Sequence, residues 1–535
     1  MKRALVVVAV AVAGIALGVF AAHRGVDEWS GARLRAAVAF AALGWALWLR
    51  SRRRAGTPVE LPVAHGVAAG LAVIAAAAWF DFGALPSGTA LHRHDVFHYY
   101  VGSKYHRELG YTRLYACAAV AEAQDGGETA VRARDMRDLV TDHVVPAAAA
   151  LDHPEECTSR FSPARWRSFR TDVANLHAGM SGAAWAETQT DHGYNPSPAW
   201  SALGGTVARV VPSTAAGLRA LAGLDVVLMA GVVAVLGAAF GWRVAALALT
   251  LAGVQEPGKF TWLGFSMLRL DWFALLAVAV ALLRRRRPGL AGAALGLAAV
   301  MRGFPALGIA GIVLAGVGTP SFARFATLRR RAVVGFAAAV AVGCVLGAAA
   351  AGPGAWTEWT SHIRRHAAAQ ASNKVGLGVI VAFDPALRVE RVQAAMPGAS
   401  AETWMQAWAD GARSAHERST LPRRALQLAV AALWLAALRR ARRPWIGLVL
   451  ALLAAPLATD LSGYYLVYFV LAACLAGARG GVERALLGFA AGVEVLMVMP
   501  AVAWFYDDRF LAISVAYVGL AVGLAIAFAT RPRRV

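Results

Sequence analysis

The sequence predicts an all-α integral membrane protein of about 12–14 transmembrane helices, with a large extracytoplasmic loop domain. Three observations predict it. The 535 residues are 58% hydrophobic and only 16% charged, too little charge to cover a soluble surface of this size. The apolar residues arrive in blocks of about 15–20, enough helix to cross about 30 Å of hydrocarbon, and without the alternation of a barrel strand. The arginines gather at the ends of those blocks, in "LRSRRRAG", "RRRRP", "LRRRAV", "RRARRP" and "RPRR". Short basic loops of this kind mark the cytoplasmic side. The net charge of +21 therefore reads as membrane topology, and no nucleic-acid partner is expected.

The elements follow in order. Residues 1–80 hold three spans, 4–22, 35–49 and 63–80. Lys2 and Arg3 before the first have the look of a signal peptide. The basic clusters alternate correctly only if 4–22 is retained, with the N-terminus in the cytoplasm. Residues 81–215 then form the extracytoplasmic loop domain. Residues 216–351 form a helix block with spans at 219–240, 244–258, 271–283, 289–301, 305–318 and 332–351. The pair around "MRGFP" reads as a broken or re-entrant element, which requires protein or water around it. Residues 352–423 form a second extracytoplasmic segment. The C-terminal block, 424–535, supplies spans 424–438, 445–457, 463–477, 485–504 and 511–528. The expected location is the inner (cytoplasmic) membrane, multi-pass, with the chemistry on the extracytoplasmic side.

That chemistry concentrates in "LHRHDVFHYYVGSKYHRELGYTRLYAC", residues 91–117. Asp95, flanked by His92, His94 and His98 and followed by Tyr99, Tyr100 and Lys104, has the ingredients of a general base. The alternative is that Asp95 caps a helix starting there. The three histidines offer metal-ligand spacing, but without an acidic partner set the sequence assigns no metal. Cys344 and Cys474 fall in spans, as small apolar fillers. Cys117 and Cys157 fall in the loop domain, an oxidising setting, and their pairing is left open.

The stretch from Asp95 to Tyr115 resembles the first outer-loop motif of GT-C-fold glycosyltransferases that use polyprenyl-phosphate sugars. It is most similar to that of glycosyltransferase family 87, with Asp95, Tyr99, Gly110, Leu114 and Tyr115 in register. Further segments are similar in the same order: "YNPSPAW" (194–200), the block from "LGFSMLRLDWF" to "MRGFP" with Arg302 and Pro305, "WTEWTSHIRRHAAAQASNKVGLG", and "APLATDLSGYYLVY". Residues 118–190 have no counterpart, the usual Gly-Gln is replaced near "GFSMLRLD", and an Asn-x-Ser reads "NKV". These departures bear on the donor sugar and acceptor.

The resemblance implies transfer of a sugar from a lipid-linked polyprenyl-phosphate donor to a glycan, lipid or protein acceptor, with Asp95 as base. A carboxylate is needed near the nucleophile and cations near the departing phosphate. The residues expected to bind substrate are Tyr99, Tyr100, Lys104, Asn195, Arg269, Arg302, Asn373, Lys374, Tyr464 and Tyr465, with Lys259, Arg364 and Arg365 as further cations. Arg269 has a structural alternative in pairing with Asp271. Trp356, Trp359, Tyr464, Tyr465 and Tyr468 read equally as sugar platforms or interfacial belt residues. A divalent metal is compatible with such a site, and nothing in the sequence supports one. Membrane lipid is the expected surrounding partner; the sugar, linkage and oligomeric state are not specified. Two rival readings are a lipid-linked polysaccharide polymerase or ligase and a secondary transporter, the latter suited by broken spans and intramembrane charges.

Overall fold

The computed structural model describes residues 28–83, 91–255, 258–259, 264–368, 370–498 and 505–530. The expected first span, 4–22, its retention, and the basic cluster at 531–534 lie outside the described residues. The described residues are 78% helical. Six described helices are long and apolar enough to cross a membrane: Gly31–Arg54, Leu61–Trp79, Ala215–Phe240, Ala326–Ala351, Thr420–Arg440 and Tyr506–Thr530. Five shorter apolar helices accompany them: Trp242–Gly253, Pro288–Arg302, Phe304–Leu314, Pro444–Leu453 and Gly463–Gly477. The expected span 244–258 ends early at Gly253, and 445–457 is divided at Ala454.

Helix ends follow local chemistry. Ser162, Ser197 and Thr214 cap helices by accepting backbone N–H bonds from Arg165, Trp200 and Gly217, and Pro163 and Pro198 occupy first-turn positions where no N–H is needed. Gly303, at φ 72°, ends the helix Pro288–Arg302. A side chain is strained in that region, which is why the apolar run breaks there. The sequence expects this break at "MRGFP".

Small residues let the central helices touch. A Cβ placed on Gly296 would lie 2.5 Å from the Phe336 carbonyl oxygen, so Pro288–Arg302 meets Ala326–Ala351 backbone to backbone. Buried Arg35 bridges Asp81 and Glu494, fixing the helix Glu28–Arg54 to Val482–Val498. Such charges are retained in an apolar bundle only when paired.

The two ends of this bundle differ. At one end, Arg284 stands over Phe240, Phe240 packs on Trp445, and the Gly316 N–H donates to Leu438 at 2.8 Å. The basic clusters that close Asp271–Arg284 and Thr420–Arg440 thus collect together. The opposite end carries the polar layer built from residues 91–211. There Arg107 donates to the Ala350 carbonyl at 2.9 Å, at the far terminus of Ala326–Ala351.

The polar layer has its own aromatic core, including Tyr105, Phe161, Trp166, Phe169 and Trp185. The Cys117–Cys157 disulfide, left open by the sequence, forms across it. Two short antiparallel ladders add to the all-helical expectation: β1 (Asp135–Arg137) with β2 (Val144–Pro146), and β3 (Lys374–Val375) with β4 (Leu461–Ser462). The β1–β2 turn needs φ 64° at Asp142, a region Asp tolerates better than most side chains. The second ladder ties the segment 352–423 to the C-terminal block.

Candidate functional site

The helical stretch from Arg93 to Lys104 carries most of the candidate site. Its cap is His92, whose side chain accepts from the Asp95 N–H at 3.3 Å. Asp95 therefore sits inside the first turn, and the alternative that it is itself the cap does not form. Its carboxylate points instead toward a loop from another part of the chain. It accepts from Ser266 Oγ at 3.3 Å and lies 3.5 Å from Arg269 Nη2 and 3.5 Å from His92 Nδ1. Burial opposes ionisation of Asp95. Arg269 and then the neighbouring histidines outweigh it, holding the carboxyl below the ordinary carboxylate range.

One wide turn, Phe97–Val101, follows. Such π-type turns recur at functional sites. Tyr99 leaves it toward Arg269 and Tyr100 away from it. The Tyr99 hydroxyl accepts from Arg269 Nη1 at 2.5 Å and from Arg302 Nη2 at 3.3 Å. Tyr100 donates to the Val211 carbonyl at 2.8 Å and accepts from Lys104 at 3.0 Å. Lys104 is ion-paired with Asp172 at 2.8 Å.

The Arg269 guanidinium lies between two rings, 4.9 Å from the centre of Tyr99 and 4.8 Å from that of Tyr464. Tyr465 packs on Tyr464 and against Trp272 and Phe304. Arg302 stands in the last turn of its helix, and its buried Nε has no hydrogen-bond partner among the described residues. The loop that delivers Ser266 and Arg269 is held by Trp272 Nε1 donating to the Arg269 carbonyl at 3.0 Å and by the Leu270 N–H donating to Asp225 at 3.0 Å. It also places Phe265 and Leu268 at φ 51° and 54°. Backbone held in that region costs about 1–3 kcal/mol per residue and persists where its surroundings impose it. The alternative pairing of Arg269 with Asp271 does not form: Asp271 accepts from the Trp272 N–H at 2.6 Å, and Arg269 pairs with Asp95.

The structure thus brings together Asp95, Tyr99, Arg269, Arg302, Tyr464 and Tyr465 and holds the other candidates elsewhere. Asn195 accepts from His362 at 2.7 Å. The Asn373 carbonyl accepts from the Gly463 N–H at 2.9 Å, next to the β3–β4 ladder. Lys374 lines a separate cleft with Trp408, His416 and Asp460. Arg364 and Arg365 are exposed, and Lys259 is buried.

Sequence reasoning missed several residues. Ser266 and Trp272 are ordinary in composition and enter through the loop. Trp200, within "YNPSPAW", packs edge-on under Tyr99 with ring centres 4.9 Å apart. Tyr115 bonds His98 Nε2 at 2.7 Å and accepts from the Gly193 N–H at 2.8 Å. Asp191 joins His94 and His98, its Oδ2 3.3 Å and 3.9 Å from their Nε2 atoms. This is the acidic partner absent from the local sequence, and His92 is not part of the group. Comparisons with known proteins return no matching family model, no matching curated protein and no matching solved structure.

Proposed function

We propose that this chain is a GT-C-type membrane glycosyltransferase. It transfers a sugar from a polyprenyl-phosphate donor to an acceptor at the extracytoplasmic face, across about 12–14 crossings of the inner membrane. The observation that carries this reading is the convergence of Arg269 and Arg302 on one phenol oxygen, with Asp95 at 3.5 Å from Arg269. Two guanidinium groups beside a neutral hydroxyl, one with an Nε that has no partner among the described residues, form a site that a phosphate diester would satisfy.

Asp95, ionised at neutral pH, accepts the proton of the acceptor hydroxyl as it attacks the anomeric carbon. Arg269 and Arg302 stabilise the charge that builds on the departing carrier phosphate. Tyr464 and Tyr465 wall the sugar. The low pKa makes Asp95 a weak base in the Brønsted sense, compensated by being always in the reactive form. Sidedness is supported by the separation of the basic clusters from the polar layer, at opposite ends of the bundle, and by the disulfide within that layer.

The test is transfer from a labelled polyprenyl-phosphate sugar in membranes containing the protein. The discontinuous pair Pro288–Arg302 and Phe304–Leu314 favours a second reading, a multi-spanning transporter. Movement of an intact solute across sealed vesicles, without transfer, would select it. Extension of a lipid-linked chain by many units would select a polymerase.

A further inference from the structure

Three ligating side chains meet beside the candidate site without being used by it. His94 and His98, four residues apart on one helical stretch, present Nε2 atoms to Asp191, and all three ligand atoms lie within 4.8 Å of one another. We propose that His94 Nε2, His98 Nε2 and an Asp191 carboxylate oxygen bind one divalent transition-metal ion of the zinc class. The inference is independent of the glycosyl-transfer reading.

The tautomers argue for it. His98 Nδ1 lies 2.8 Å from the His94 carbonyl oxygen, which only accepts, so Nδ1 carries the proton. Its Nε2 therefore carries a lone pair. His94 Nδ1 lies 3.1 Å from Thr188 Oγ1, whose own hydrogen goes to the Ala184 carbonyl at 2.8 Å. His94 Nδ1 is then also the donor, and its Nε2 faces the carboxylate.

Two ring nitrogens and a carboxylate oxygen converge with their outer N–H groups already committed, the arrangement by which proteins orient imidazoles toward a metal. A proton on His94 would satisfy one of these contacts; a cation satisfies all three. The 3.3 Å between His94 Nε2 and Asp191 Oδ2 matches the edge of about 3.3 Å in a tetrahedron with bonds of about 2.0–2.1 Å. The 3.9 Å from His98 closes with a small ring shift, in which His98 exchanges its Tyr115 hydrogen bond for coordination.

Two nitrogens and one oxygen suit zinc better than magnesium or calcium. Three protein ligands leave a fourth position for water or Tyr115. The ion would tie the Asp95 helix to the segment after the helix Gly182–Gln189.

The test uses the full-length protein without a polyhistidine tag, purified in detergent, stripped with chelator and equilibrated with zinc sulfate. Metal content by mass spectrometry should be about one zinc per wild-type chain, and less than about a tenth of that in Asp191→Asn and His94→Gln. Zinc should raise the Tm of the wild type alone, as a ligand of the native state does. Cobalt substitution should give the visible bands of a tetrahedral site in the wild type and not in the variants.

Both substituted side chains are partly exposed, so the variants should match the metal-free wild type in Tm, which confirms their folding. Equal zinc content in wild type and folded Asp191→Asn overturns the proposal. So does a wild type that holds no zinc after equilibration.

Discussion

Replacing Arg302 by Met should weaken binding of the polyprenyl-phosphate donor by about 10- to 150-fold while leaving the fold intact. The size follows from what Arg302 does and does not touch. Among the described residues it makes one hydrogen bond, 3.3 Å to the Tyr99 hydroxyl, and its buried Nε has no partner. Within the protein it otherwise faces the Tyr99 ring, 5.6 Å from the guanidinium carbon, and the charge of Asp271. A charge-assisted hydrogen bond to a phosphate is worth about 1.5–3 kcal/mol, and each 1.4 kcal/mol is about a factor of ten.

Methionine keeps the stem's volume and removes the charge that faces Asp271, so the Tm should fall less than the donor affinity does. Arg302→Lys should fall between, because a point charge cannot form the planar fork. Arg269→Met should behave differently. It strips Asp95 and Tyr99 of a shared partner and leaves a buried carboxylate without its cation, so both Tm and donor affinity should drop. The assay is titration of a fluorescent polyprenyl-phosphate analogue into protein in nanodiscs, alongside thermal unfolding. Undiminished affinity in Arg302→Met would refute the phosphate clamp. Loss of affinity and Tm in equal proportion would assign Arg302 to stability instead.

Other expectations follow from the same geometry. Asp95→Asn should cut transfer by about 10²- to 10⁴-fold and lower Tm as well, because it takes the carboxylate from buried Arg269; retention of most activity would remove the base assignment. Because Asp95 is held below the ordinary carboxylate range, its acid limb in a kcat/KM profile should lie below about pH 4; a limb near pH 6–7 would point to a different base. His106 and His362 pack on Tyr111 from two sides, and burial pushes them down to about 4 and about 3. Their unfolded forms bind protons first, so the stability they contribute is complete above about pH 6.5 and is lost as pH falls through that window. Tm should therefore decline between pH 7 and 5, and the Tyr111-facing pair His106→Phe, His362→Phe should flatten that slope. Opening the Cys117–Cys157 link, 40 residues apart in sequence, should cost up to about 4 kcal/mol by loop-closure entropy, seen as faster proteolysis of the polar layer. Ready labelling of both thiols in the untreated protein would contradict the link.

The sequence made the helical spans legible because lipid demands long apolar runs, whatever the neighbours. It also exposed Arg302, since a charge interrupting such a run is conspicuous, and the break after Arg302, since "GFP" cannot continue a helix. It did not make partner choice legible. Asp191 lies far along the chain from His94 and His98, and Ser266 reaches Asp95 through a loop with left-handed residues that no periodicity announces. Lys104 looks like a phosphate ligand by composition. Asp172, supplied by the helix Pro163–His177, claims it. Helix existence is a local property; ion-pair identity depends on which distant segment arrives.

The spacing within residues 93–104 nevertheless holds information that composition hides. Polar residues four apart on a helix share a face, and three such pairs in this stretch meet other segments of the chain. His94 and His98 face Asp191, Asp95 and Tyr99 face Arg269, and Tyr100 and Lys104 face Val211 and Asp172. One short helix thus divides its polar side chains among three directions. The crowding of chemistry after the helix Leu61–Trp79 is three separate interactions, not one large site. The division makes a sharp demand on mutants. Changes at Tyr100 or Lys104 should lower Tm without altering donor affinity, and changes at Tyr99, which is buried against Trp200 and bonded to both arginines, should lower both. Asp191→Asn should affect metal content before either.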